Sequence, residues 1–114
     1  MARWTIRFYP PKERRNSPGA VLASLRPDQA ANIRHRLETI AEMERVQWPA
    51  GWVKEVQGIL QLTAGDYRLY LGLDGNTIIV VSHLCRKTSN KAKIKDIRMA
   101  KENLKQYFRE NNKL

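Results

Sequence analysis

The sequence predicts an α+β fold, in which helices cover one β-sheet. Two stretches, at residues 27–43 and 92–112, have the apolar spacing of amphipathic helices. Other stretches alternate apolar and polar residues or form short apolar runs, as strands do, and two of them flank the pair Asp74-Gly75, a strong hairpin signal. We therefore expect a sheet with an N-terminal helical hairpin and a basic C-terminal helix.

The first half of the chain predicts one strand followed by two helices. Residues 4–9 alternate apolar and polar side chains until Pro10-Pro11 ends the strand. Ser17-Pro18 has the pattern of an N-cap followed by proline at the first helical position, which predicts a short helix. Pro27-Asp28 starts a longer helix, and we expect the two helices to form a hairpin that packs on the sheet.

The second half predicts three strands and a final helix. The expected strands are Ile59–Thr63, Asp66–Leu73 and Thr77–Cys85. The last of these contains a run that is apolar on both faces, from Ile78 to Val81, so we expect it inside the sheet. A polar loop over residues 86–90 leads to the final helix, expected from about Ala92 to Asn112 with Ile94 on its apolar stripe.

The formal net charge of +10 is concentrated at the two ends of the chain. Residues 1–15 carry a net charge of +4, residues 16–85 a net charge of −1, and residues 86–114 a net charge of +7. This uneven distribution favours a polyanionic partner, such as nucleic acid, an acidic protein or an anionic membrane. A solvated face that serves solubility is the alternative.

Length and composition predict a single domain over residues 1–114. No apolar run approaches the ~20 residues that span a bilayer, and the N-terminus lacks the apolar region of a signal peptide. The single cysteine, Cys85, allows no internal disulfide, so we expect a cytoplasmic protein. The spacing of cysteine and histidine indicates no zinc site, no glycine-rich loop indicates a nucleotide, and we expect no metal or cofactor.

Arg68 is the most unusual side chain of the predicted sheet. A guanidinium in the middle of an apolar strand is costly unless it meets an anion. That anion is either a ligand or a carboxylate of the chain, such as Asp66 or Glu55. Arg86 and Lys87 leave the end of the third strand, where loops over a rigid sheet commonly carry binding groups; an ordinary charged loop is the alternative.

Tyr70 and His83 are candidates close to these cations. Tyr70 lies two residues after Arg68, on the same face of its strand, and either stacks on a base or fills the core. Positive charge near His83 favours the neutral imidazole that a general base needs. A two-residue hairpin loop puts His83 on the face of Arg68, whereas a three-residue loop does not. We expect His35 at the surface, and Cys85 as a small buried hydrophobe rather than a nucleophile.

These features occur in an order that is similar to that of a known family. The matching residues are Leu62-Thr63, Tyr67-Arg68, Asp74-Gly75, Ile78–Val81, Arg86-Lys87-Thr88 and Ala100. Over Gly58–Ala100, about two fifths of the chain, the sequence resembles the RelE/HigB superfamily of toxins from bacterial toxin–antitoxin pairs, particularly its phage-derived HigB-like branch.

The resemblance implies a twisted antiparallel sheet of the RelE/ParE type and the activity of an mRNA interferase. Such an endoribonuclease enters the ribosomal A site and cleaves the message. The RNA 2′-hydroxyl would be the nucleophile, no metal would be needed, and fixed cations would stabilise the phosphorane. The resemblance also implies a cognate antitoxin, which in this branch usually carries a helix-turn-helix.

We expect two groups of site residues on this basis. The catalytic candidates are Arg68, Arg86, Lys87 and His83, and the RNA-binding candidates are Tyr70, Lys91 and Lys93. The strand Ile59–Thr63 departs from the family, because it lacks the lysines of some ribosome-dependent members and has Thr63 where an arginine often follows. A general base from that strand is missing, so either His83 or a lysine elsewhere takes the role, or catalysis is weak or has been lost.

Two other functions stay open. ParE-like relatives of the same fold inhibit DNA gyrase through protein contacts and cleave no RNA. A non-catalytic RNA- or ribosome-binding module would use the basic C-terminal helix, because dense lysine and arginine give salt-sensitive, sequence-blind binding.

Overall fold

A computed structural model describes residues 3–11, 14–89 and 91–111. These residues form an α+β fold, with three α-helices packed on a five-stranded mixed sheet. None of the described helices has the length and apolar composition to span a membrane. In chain order the elements are β1 (Thr5–Phe8), α1 (Pro18–Ser24), α2 (Pro27–Ala41), a 3₁₀ turn (Arg45–Gln47), β2 (Val53–Val56), β3 (Ile59–Ala64), β4 (Tyr67–Asp74), β5 (Ile78–Arg86) and α3 (Ile94–Glu110).

The strands lie in the order β1-β5-β4-β3-β2. Strands β2 to β5 form an antiparallel meander, but β1 runs parallel to β5, with Thr5 opposite Ile78. The prediction of an antiparallel sheet is therefore wrong for β1. A parallel pair needs a long connection, and the two helices and three strands between β1 and β5 provide it. The apolar strand β5 lies inside the sheet, between β1 and β4, as predicted.

Strand β2 is an element that the sequence does not reveal. It forms the edge of the sheet, and Lys54 and Glu55 in its middle are both exposed. A four-residue edge strand with two charged residues lacks the clear alternation that predicts a strand. The meander therefore has four strands rather than three.

The turn between β4 and β5 also differs from the prediction. Asp74 is the last residue of β4, opposite Ile78, so the turn comprises the three residues 75–77. Gly75 has a positive φ of 63°. Asp74 is buried and accepts a 2.8 Å hydrogen bond from the Tyr107 hydroxyl of α3, which explains why it stays in the strand.

The two N-terminal helices form as predicted. The Ser17 hydroxyl accepts a 3.2 Å hydrogen bond from the Ala20 N–H and caps α1, and Pro18 occupies the first turn. Helix α2 begins at Pro27 and buries the predicted apolar stripe, which consists of Ala30, Ile33, Leu37, Ile40 and Ala41. Both helices pack on the same face of the sheet.

Helix α3 covers the opposite face, which we call the α3 face. Its core contains Tyr70 of β4 with Ile97 and Ala100 of α3. Gly72 allows the close approach of α3, because a Cβ atom there would lie 2.3 Å from Cδ2 of Leu104. A larger residue at position 72 would push α3 away from the sheet.

The limits and the apolar stripe of α3 are only partly as expected. The helix begins at Ile94 and ends at Glu110, and the predicted end at Asn112 lies outside the described residues. Ile97 is buried, but Ile94 is 63% exposed, so its predicted place in the core is wrong. Ile94 instead lines two surface grooves at the start of the helix.

Candidate functional site

A bulge in β5 determines which side chains lie on the α3 face. Leu71 pairs with Val81, but Tyr70 pairs with His83, so Ser82 is an extra residue in β5. A shift of one residue moves every later side chain to the other face of the sheet. The three-residue turn alone would turn His83 away from the α3 face, and the bulge returns it to the face that carries Tyr70.

Five polar residues meet on the α3 face as a result. Arg68 pairs with Cys85 across the two strands, and the rings of Tyr70 and His83 stack with their centroids 6.1 Å apart. Asp96, in the first turn of α3, reaches the sheet and contacts His83. We call Arg68, Tyr70, His83, Cys85 and Asp96 the α3-face cluster.

The Arg68 guanidinium is buried and holds the segment that precedes α3. The residue is 5% exposed, and its Nη2 and Nη1 donate to the carbonyl oxygens of Ser89 (2.7 Å) and Lys91 (3.1 Å). Among the described residues it forms no ion pair, so neither Asp66 nor Glu55 is its partner. Because a buried ion keeps a large desolvation cost unless an opposite charge meets it, this guanidinium favours an anionic ligand.

His83 is held by the Asp96 carboxylate. The residue is 8% exposed, and its Nε2 lies 2.9 Å from Oδ1 of Asp96. Because an ionised carboxylate only accepts hydrogen bonds, this contact places the proton on Nε2 in the neutral form of the imidazole and leaves Nδ1 as the acceptor. An imidazole that a carboxylate orients in this way is suited to take a proton from a substrate. The other histidine, His35, is exposed on α2, as predicted.

Cys85 and Tyr70 both hold their protons strongly. Burial, reinforced by the negative charge of Asp96, raises the pKa of the Cys85 thiol to about 12. Burial likewise raises the pKa of the Tyr70 hydroxyl to about 12. The thiol is therefore protonated at neutral pH, which agrees with the expectation that Cys85 is not a nucleophile, but the residue is half-buried rather than fully buried. Tyr70 is 0% exposed, so its ring fills the core, the second of the two alternatives, and its candidacy as a residue that stacks on an RNA base is wrong.

Three members of the cluster are residue types that bind metal ions. The ligand atoms of His83, Cys85 and Asp96 lie within 4.8 Å of one another. The positive charge of Arg68, which pairs with Cys85, opposes a divalent cation there. A thiol with so high a pKa also resists the deprotonation that metal binding requires. We therefore assign no metal to the cluster.

The remaining predicted catalytic cations lie elsewhere. Arg86 pairs with Tyr67, so the register directs it to the face opposite Arg68, and the expectation that both arginines belong to one catalytic group is wrong. Side chains three positions apart on one strand never share a face, so the bulge that brings His83 to the α3 face also takes Arg86 away. Lys87 is exposed, and its backbone N–H donates to the Asp66 carbonyl (2.6 Å).

Lys91 and Lys93 lie on the segment that covers Arg68. Both are exposed, and the backbone oxygen of Lys91 is one of the two acceptors of the guanidinium. Their ammonium groups therefore make the surface above the cluster positive.

A groove of about 340 Å³ opens beside the cluster, between β2–β3 and the start of α3. Gln61 is 3% exposed, and its Oε1 has no hydrogen-bond partner among the described residues; the hydroxyl of Tyr70, its cross-strand neighbour, has none either. A buried polar atom without a partner costs about 1–3 kcal/mol. We call this the Gln61 groove; Lys54, Val56, Gln61, Lys91 and Ile94 line it.

Sequence reasoning missed Asp96 and Gln61. Asp96 is the one acidic residue in the first turn of α3, and Gln61 is the one polar residue within Ile59–Leu62. A lone polar residue in such a setting is a usable signal for a buried contact. Neither signal identifies the partner, because the partners lie on elements distant in the chain.

Comparison with protein-family models finds no match, and comparison with curated proteins finds none either. The resemblance to the RelE/HigB superfamily therefore rests on the residues of Gly58–Ala100 alone.

Proposed function

We propose that the protein is the toxin of a type II toxin–antitoxin pair, and that it acts in the cytoplasm as a ribosome-dependent mRNA endoribonuclease of the RelE/HigB type that inhibits translation. The observation that carries the proposal is the α3-face cluster. In it, a histidine oriented by Asp96 lies close to the buried guanidinium of Arg68, which has no described carboxylate partner. A base and a fixed cation are two of the groups that RNA cleavage by its own 2′-hydroxyl requires.

His83 is the base in the proposed reaction. Its Nδ1 takes the proton of the 2′-hydroxyl, and the 2′ oxygen attacks the adjacent phosphorus. The bond to the 5′ oxygen breaks, that oxygen takes a proton from water, and the imidazolium of His83 later releases its proton to the solvent. The products are a 2′,3′-cyclic phosphate and a free 5′-hydroxyl. Arg68 contacts two phosphate oxygens and stabilises the charge of the phosphorane, as its planar guanidinium allows.

Access of RNA to Arg68 requires the covering segment to move. The carbonyl oxygens of Ser89 and Lys91 occupy the guanidinium in the free protein. Phosphate oxygens are the stronger acceptors, because their negative charge attracts the guanidinium and two of them match its planar fork, whereas a carbonyl oxygen is neutral. The exposed Lys87, Lys91 and Lys93 attract the RNA backbone to this segment. RNA binding therefore exchanges two carbonyl contacts for phosphate contacts.

The proposed partners are the ribosome with its message and a cognate antitoxin of the helix-turn-helix type. An acidic antitoxin segment that covers the basic surface above Arg68 would block RNA. Displacement of α3 would act differently, because α3 carries Asp96 and would break the pair with His83. A toxin–antitoxin complex that leaves both the surface and α3 unchanged would contradict this part of the proposal.

Mapping of message 5′ ends tests the proposed activity. Expression of the unaltered protein in bacterial cells is expected to give new 5′ ends within translated regions. His83→Gln should reduce cleavage by about 100-fold or more, the usual contribution of a general base. His35→Gln is the matched control, because His35 is exposed on α2, and it should cleave like the unaltered protein. Equal cleavage by both variants would reject His83 as the base.

A non-catalytic RNA- or ribosome-binding module is the second candidate. It is favoured by the two carbonyl contacts of Arg68, which give that residue a structural role, and by the separation of Arg86 from Arg68. Ribosome binding with fully intact message would decide for this candidate. Inhibition of DNA supercoiling by the purified protein, without RNA cleavage, would instead indicate a gyrase inhibitor of the ParE type.

A further inference from the structure

We propose that the Gln61 groove binds one unpaired nucleobase of the RNA strand whose phosphate Arg68 contacts. This inference rests on the proposed function and extends it, because it assigns a residue that selects the base next to the cleaved bond. The groove lies outside the α3-face cluster and none of the residues predicted to catalyse lines it.

The first argument is the unfilled hydrogen-bonding capacity of the groove. Gln61 is only 3% exposed, and its Oε1 has no hydrogen-bond partner among the described residues. The hydroxyl of Tyr70, which pairs with Gln61 across β3 and β4, is also buried without a hydrogen-bond partner among the described residues. Buried polar side chains in folded proteins nearly always have a partner, so an exception calls for a ligand or water that supplies one. The groove is therefore built to receive a polar group.

The second argument is the chemistry of the walls. A carboxamide offers an acceptor and a donor in one plane, the pattern with which glutamine pairs with the edge of a base. Val56 and Ile94 add apolar surface suited to the face of a planar ring. Lys54 and Lys91, both exposed, supply positive charge at the groove for the phosphates. No acidic residue is among the described residues that line it.

The third argument is position. Gln61 pairs with Tyr70 and Thr63 pairs with Arg68, so Gln61 is a diagonal neighbour of Arg68 across β3 and β4. Diagonal neighbours are about 7–8 Å apart, within the span of one nucleotide. Lys91 lies next to both sites, because it lines the groove and, in the free protein, its carbonyl oxygen accepts from Arg68. A nucleotide bound at Arg68 can therefore extend its base, or that of its neighbour, into the groove.

NMR titration of the full chain with AMP, GMP, CMP and UMP tests the proposal. We expect the side-chain NH₂ of Gln61 and the backbone amides of residues 54–57 and 91–94 to shift, with one base preferred. Gln61→Leu keeps the approximate shape but removes the amide, and it should weaken binding of the preferred nucleotide by about 10-fold or more. Gln106→Ala is the control, because Gln106 is exposed on α3 outside the groove, and it should leave binding unchanged.

The thermal midpoint of Gln61→Leu shows whether a loss of binding reflects unfolding. Because the substitution removes an unpartnered buried amide, the midpoint should stay equal or rise. A folded Gln61→Leu variant that binds every nucleotide as the unaltered protein does would overturn the proposal, as would shifts confined to residues outside the groove.

The outcomes separate this inference from the proposed function. If the protein cleaves RNA and Gln61→Leu changes neither nucleotide binding nor base preference at the cut, the groove assignment fails and the nuclease stands. If nucleotide binding depends on Gln61 but no message is cut, the assignment of the groove stands and the proposed nuclease activity is rejected.

Discussion

Replacement of Arg68 by methionine separates a phosphate-binding arginine from a purely structural one. Methionine keeps an unbranched apolar chain in the core but loses the charge and every N–H donor. If Arg68 serves the phosphodiester, Arg68→Met should remain folded and lose cleavage. If Arg68 only holds the segment before α3 in place through its hydrogen bonds, cleavage should fall only in proportion to the fraction of molecules that is folded.

The stability effect follows from two opposing contributions. The two hydrogen bonds to Ser89 and Lys91 come from a charged donor and are each worth about 1.5–3 kcal/mol, so their loss costs about 3–6 kcal/mol. Removal of a buried guanidinium without a described carboxylate partner also relieves a desolvation penalty of several kcal/mol. We therefore expect the free energy of unfolding to fall by no more than about 2 kcal/mol.

The effect on cleavage should be larger. Loss of one preorganised donor to a developing oxyanion typically lowers the rate by about 100- to 1,000-fold. The assay pairs urea unfolding with cleavage of message on purified ribosomes, with the rate expressed per folded molecule. Arg36→Met is the matched control, because Arg36 donates to the Thr63 carbonyl (2.8 Å) and lies over the Trp52 ring, on a helix that packs on the other face. It should lose stability and keep its cleavage rate.

Cleavage by folded Arg68→Met at the rate of the unaltered protein would refute the reasoning. So would a loss of stability of about 4 kcal/mol or more that accounts for the whole loss of cleavage, because the structural contacts would then outweigh the desolvation cost.

Three further changes probe the arrangement around Arg68. Asp96→Asn removes the carboxylate that orients His83 and should lower cleavage on ribosomes about 10-fold or more and alter its pH profile; an unchanged rate and profile would contradict a positioning role. Burial raises the pKa of Cys85 from 9.0 and that of Tyr70 from 10.0, each to about 12, so the unfolded chain releases these protons first. The contribution of these groups to stability should therefore be fully present below about pH 9 and fall as the pH rises toward 12. Urea titrations should show a smaller fall for Cys85→Ala. Stability that stays level or rises over this range would contradict the burial of the two groups. Gly72→Ala should destabilise the fold by about 1–3 kcal/mol through contact with Leu104, and Leu104→Ala in the same chain should recover part of the loss, whereas strictly additive effects would exclude that contact.

The sequence predicts the helices well because their signals are local. Ser17-Pro18 starts α1, and the apolar stripe of α2 is buried as its spacing indicates. Capping and helical periodicity depend on residues within one or two turns, so they are visible without tertiary context. The parallel pairing of β1 depends instead on which strand it meets after a long connection, and nothing local in the strand encodes that choice.

The candidate site is less predictable, because it depends on register. Ser82 carries no signal for a bulge, yet that one extra residue brings His83 to Arg68 and takes Arg86 to the opposite face. Arg68 itself could be singled out, since a charge within an apolar strand is unusual whatever the register. Its contacts with the Ser89 and Lys91 carbonyls could not, because they depend on the path of an irregular segment.

Guanidinium NMR of Arg68 tests most directly whether this side chain binds a phosphodiester. The full chain, labelled with ¹⁵N at its arginine side chains and with ¹³C at its backbone carbonyls, would be titrated with a short RNA whose 2′-hydroxyls are methylated, so that the nucleophile is blocked and the strand stays intact. We predict that the Arg68 N–H signals shift together with the carbonyl signals of Ser89 and Lys91, as phosphate oxygens replace those acceptors. Unchanged Arg68 signals, while the exposed lysines respond to the same RNA, would contradict the account.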